Sequence, residues 1–113
     1  MNLNQQLIDY EGKPMTHHKK DADGKKIKEL PTTLKDVLRV SLMNRLEGRT
    51  EKIEESLCNA HFTRERYELF KRIDKADGVI LTSDEVDVLN VTLPLSHEVL
   101  VSGQVLNIIH NEI

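Results

Sequence analysis

The sequence predicts an α+β domain, mainly helical, in which an N-terminal β-hairpin packs on three to four helices. Turn chemistry is concentrated early, at Gly12, Pro14 and Asp23-Gly24. From Leu34 onward the apolar residues recur at helical spacing instead of alternating. The chain has 113 residues, enough for one domain over 1–113 with a modest core. The 38% apolar and 31% charged fractions describe a folded chain, and the 4% aromatic fraction makes its core aliphatic.

The hairpin is expected over roughly residues 6–30, with "NLNQQLIDYEGKPM" as its first extended stretch and "KKIKEL" in its return. The loop between its arms would carry His17, His18 and most of the lysines. A first helix follows Pro31. Thr33 and Asp36 are three apart, as a cap requires, and Leu34, Val37, Leu38, Leu42 and Leu46 form its stripe up to a C-cap at Gly48. The longest helix comes next, with Ile53, Leu57, Ala60, Tyr67, Phe70 and Ile73 inward and an interruption at "AHFT", residues 60–63. Asp77-Gly78 closes it.

A short extended link, "VIL", leads to Thr82 and Glu85, a capping box for another helix. Pro94 should break that helix, and Ser96 should cap the last one, which presents Val99, Leu100, Leu106 and Ile109. Gly103 costs the last helix about 1 kcal/mol relative to alanine, which a close backbone contact would offset. The expected core is Leu7, Leu34, Val37, Leu38, Leu42, Leu57, Phe70, Ile73, Ile80, Leu81, Val86, Leu89, Leu100, Leu106 and Ile109.

"RIDKADGVILTSDEVDVL" begins like a calcium loop and fails as one. Such a loop needs side-chain oxygens at positions 1, 3 and 5, glycine at 6 and glutamate at 12. Starting at Asp74, Gly78 falls at position 5 and Ala76 at 3; starting at Ile73, the first ligand is missing. Cys58 and His61 would be half of a zinc site with no visible second half. Cys58 sits among Glu51, Glu54 and Glu55, which disfavour a thiolate nucleophile. Glycine-rich phosphate loops and serine elbows are absent from the sequence. The expectation is a non-enzyme without cofactor or metal.

Charge is unevenly distributed. Residues 13–28 hold six lysines against Asp21 and Asp23, a balance of +4; the chain totals −3, so the other 97 residues carry −7. Binding to nucleic acid is disfavoured by that acidic body and by a last helix with no Lys or Arg. The single cysteine excludes an intramolecular disulfide, and no apolar run reaches 18 residues. The N-terminus has no basic segment before a long apolar one. These features predict a cytoplasmic protein that does not engage a membrane.

In order along the chain, "LIDYEGKPM", "TLKDVLRVSLMNRL", "LFKRIDKADGVILTSDEVDVL" and "VLVSGQVLNII" resemble a group of small proteins of tailed bacteriophages and prophages. The lysine-rich stretch at 16–28 departs from that pattern. The resemblance implies an accessory protein of virion assembly, or one acting on a host protein in the host cytoplasm, and supplies no site residues. The expected function is therefore protein–protein interaction, the alternative a small DNA-binding transcriptional regulator. Candidate partner-binding residues are Lys19, Lys20, Lys25 and Lys26, with Val101, Val105 and Ile108 on a second apolar face of the last helix. That face would either lie under the hairpin or join a homodimer around Gly103.

Overall fold

Pro31 and Thr33 set the start of the helical part, and Thr33 acts as the sequence predicts. Its N–H and hydroxyl donate to Asp36 Oδ2 at 3.0 and 3.1 Å, and the Asp36 N–H donates to Thr33 Oγ1 at 3.3 Å. The result is a capping box with aspartate in the reciprocal position. It opens α1 (Leu34–Met43), which buries Leu34, Val37, Leu38, Ser41 and Leu42 on one face. The computed structural model describes residues 1–20, 23–24, 26–43 and 60–111. Leu46, Gly48, residues 51–59 with Ile53, Leu57 and Cys58, and Lys25 lie outside them.

Within the described residues the order is β1 (Thr16–Lys20), β2 (Lys26–Pro31), α1, then α2 (Ala60–Asp74), α3 (Ser83–Ser96) and α4 (Val99–Asn111). The α+β class with an N-terminal hairpin stands. The hairpin is shorter than the span 6–30 and its strands pair antiparallel from Thr16↔Pro31 to Lys20↔Lys26, with an irregularity between Lys19 and Lys20. His17, His18, Lys19 and Lys20 are therefore strand residues, as is Lys26, and not part of a loop. The reason is local. Asp9 Oδ1 accepts the N–H groups of Glu11 and Lys13, and Gly12 adopts φ +79°, so the first turn signal closes a tight loop of its own. Gly24, at φ +80°, marks the hairpin's turn.

The segment before the hairpin is not a strand arm. Leu3 and Leu7 are buried, and the backbone around them serves α1. Leu34 N–H donates to the Gln5 carbonyl and Lys35 N–H to the Leu3 carbonyl, both at 2.9 Å, which satisfies two donors that a helix start leaves open. At the far end of the chain, Gln104 holds Ile8 by both backbone groups: Oε1 accepts its N–H at 3.0 Å and Nε2 donates to its carbonyl at 2.7 Å.

The longest predicted helix is described from Ala60 onward, with residues 60–63 forming its first turn; the part of the prediction before Ala60, and so continuity across "AHFT", lies outside the described residues. Its buried face is Arg66, Leu69 and Ile73, with Phe70 partly covered, so Tyr67 turns outward. In α3 the capping box is complete, with Thr82 accepting from Glu85 N–H and Glu85 accepting from Thr82 N–H. Glu85 also takes Arg72, whose other nitrogen donates to the Ile80 carbonyl at 3.0 Å.

Pro94 does not end α3, which continues to Ser96. Pro94 is exposed, so the bond it cannot make is lost on the solvent side of the helix. Ser96 consequently closes α3 instead of capping α4; its hydroxyl donates back to the Thr92 carbonyl at 2.8 Å. Glu98, just before α4, takes the cap position instead, its carbonyl accepting the Ser102 N–H.

α1 is central, packing on α2 and α3, while α4 packs on α3. Ile80, placed in the core by the sequence, is 87% exposed, because in the extended link Val79 takes the inward position and its N–H donates to the Met1 carbonyl. Leu100 is only half-buried, and Leu81 and Leu106 pack at the core's margin. Leu3, Leu69, Val88, Leu93, Val101 and Val105 complete the core. No described helix is long and apolar enough to cross a membrane.

Gly103 has no neighbour that a Cβ would meet within 4 Å, so the close contact that its cost implied is absent. Gly103→Ala is expected to raise stability by about 1 kcal/mol, read as a higher urea midpoint at unchanged slope. A lower midpoint would show that the glycine answers a constraint outside its packing.

Candidate functional site

An open groove of about 560 Å³ lies between the base of the hairpin, α1 and the junction of α3 with α4, and is built from separate parts of the fold. Met15 enters from the chain just before β1, Val37, Val40 and Met43 from α1, and Val101 from α4. Val37 belongs to the core, and exposure rises along the same helix ridge to 41% at Val40 and 63% at Met43. α1 thus carries its apolar stripe past the point where the other described residues cover it.

Most of the groove's polar lining is engaged within the protein, with Arg39 Nε buried and making an ion pair but no hydrogen bond. His17 Nδ1 lies 3.0 Å from Thr32 Oγ1, and the Thr16 hydroxyl donates to Glu29. Asp36 is held in the cap of α1, and Arg39 Nε lies 3.1 Å from Asp74 Oδ1 with its guanidinium over Phe70. His97 Nδ1 lies 2.8 Å from Ser96 Oγ. These side chains organise the walls, and the surface they leave open is apolar.

His97 is half-buried, and its desolvation there holds its pKa below the ordinary histidine value. The unfolded chain then binds a proton more readily than the folded one. Stability contributed by neutral His97 is present above the ordinary histidine pKa and is lost as pH falls from there through the lowered folded value. The urea midpoint is expected to drop between pH 7.5 and pH 5, and His97→Gln is expected to flatten that drop. An equal pH dependence in the variant would remove His97 as its cause.

The predicted partner-binding residues separate into two groups. Lys19 is exposed on β1, two residues beyond His17 and so on the same face of the strand. Lys20 and Lys26 sit opposite one another in the ladder, as do Lys19 and Lys28. Lys25 lies outside the described residues. Val101 and Val105 are buried and Ile108 packs against the core. The second apolar face of the last helix is therefore internal, under the alternative the sequence left open, and the exposed face on which the homodimer expectation rested is absent from it. The outward residue is Val99, at 88%.

Asp74 and Asp77, from the stretch that mimics a calcium loop, are engaged by Arg39 and by Asn4 Nδ2 respectively. His61 lies 2.8 Å from Glu65. Among the described residues no three His, Cys, Asp or Glu side chains converge as a metal site would need. Met15, Val40 and Met43 were not legible as a site, because they come together only through the packing of the hairpin base on α1. No protein-family model, curated protein or solved structure matches this chain.

Proposed function

We propose that this chain is a non-enzymatic accessory protein that binds another protein through the groove along Val40 and Met43. The observation that carries this reading is the combination of an exposed aliphatic floor with polar walls most of whose groups are engaged within the protein. A surface of that kind gains by excluding water from apolar area, and it has few spare groups to position a small polar substrate. The order of motifs resembles that of phage and prophage proteins, and this resemblance supports a role in virion assembly or on a host protein.

Affinity capture with the full chain tests this. A protein recovered by the wild type and by Val99→Asp, and reduced about tenfold or more with Met43→Asp, is the expected result. Met43 is exposed, so the variant keeps its core. A parallel titration with duplex DNA at two salt concentrations is expected to show no tight, steeply salt-dependent binding. Such binding, with no Met43-dependent protein recovered, would replace this reading with a DNA-binding regulator.

A further inference from the structure

The groove's shape and surrounding charge narrow its partner, and the inference that follows rests on the groove being a docking surface. Val37, Val40 and Met43 are spaced by three, so they form one ridge of α1 about 9 Å long. A ridge of that type is complemented by the side-chain rows of another helix. An extended peptide would bring unpaired backbone N–H and C=O groups against walls most of whose polar side chains are engaged within the protein, and that costs free energy. A helix brings none, because its backbone is satisfied internally.

The electrostatics at the two ends of the groove differ. Arg39 is paired with Asp74, and Asp36 adds one further carboxylate that is held in the cap of α1, so the charged side chains at the floor sum to −1. At the hairpin end the His17 face of β1 leads to exposed Lys19, with Lys28 opposite it in the ladder, in a segment that carries +4 over residues 13–28. Lys19 makes no ion pair among the described residues. Charge complementarity calls for carboxylates in whatever lies beside it.

We infer that the groove accepts an amphipathic helix of a partner protein, with aliphatic residues against Val40 and Met43 and Asp or Glu residues at the end facing Lys19. Such a helix would anchor through residues at i, i+3 or i+4, and i+7.

Selection from a displayed library of randomised 15-residue peptides on the full immobilised chain, followed by titration of the synthesised winners, tests this directly. The expected winners combine aliphatics at helical spacing with an acidic end. Their affinity should fall about tenfold or more for Met43→Asp and about fivefold for Lys19→Glu, and it should weaken with salt. Winners that need Met43 but carry no acidic residues and ignore Lys19→Glu would overturn the acidic-helix inference and leave the docking surface standing. Winners indifferent to Met43→Asp, or no enrichment at all, would overturn both. Circular dichroism on both variants confirms that each is folded before its affinity is compared.

Discussion

Val105→Asp is expected to abolish cooperative folding. Val105 is 0% exposed in α4, among Val101, Ile109 and the residues of α3, so a carboxylate there would be buried without a partner. The cost is more than about 4 kcal/mol, a large part of the stability of a domain this size. Val99→Asp, six residues earlier on the same helix, is expected to change stability by less than about 0.5 kcal/mol. Val99 is exposed in the helix's first turn, where a negative charge meets the favourable end of the helix dipole. Urea unfolding followed by circular dichroism compares the two. A cooperative Val105→Asp with near wild-type midpoint would mean that the face of Val101 and Val105 is a surface, and the dimer expectation would return.

Leu38→Ala is expected to cost about 3 kcal/mol. Leu38 is fully buried on α1, the helix against which both α2 and α3 pack, so neighbouring elements cannot all close on the space it leaves. The midpoint should fall with the slope of the transition unchanged. A loss under about 1 kcal/mol would place the centre of the core elsewhere.

What could be read from the sequence was what is decided locally. Thr33 with Asp36 and Thr82 with Glu85 are three residues apart and cap their helices without help from the rest of the chain. Leu34, Val37, Leu38 and Leu42 announce a one-sided helix by spacing alone. The misplaced boundaries depend on competition between signals. Gly12 and Asp9 formed a private loop, so the hairpin began ten residues late, and Pro94 was tolerated because its side of the helix faces water.

The last helix was ambiguous for a different reason. It is apolar on two faces, and periodicity cannot rank them; contact with α3 selected Val101, Val105 and Ile109 and left Val99 outside. Leu3 was invisible as core because its segment has no regular structure and is held by bonds to Asp77 and Lys35. The groove was the least legible feature. Met15, Val40 and Val101 are distant in sequence, and nothing in the local pattern of any of them announces that they share a surface.

Site-specific photo-crosslinking tests the central claim most directly. A photoreactive side chain is placed at position 43 in one preparation and at position 99 in another, in the presence of the protein recovered by affinity capture. Both positions are exposed, so neither replacement disturbs the core, and only position 43 lies on the groove. An adduct with that protein from position 43 and none from position 99 is the expected result. An adduct from position 99 alone would place the contact away from the groove and contradict the account.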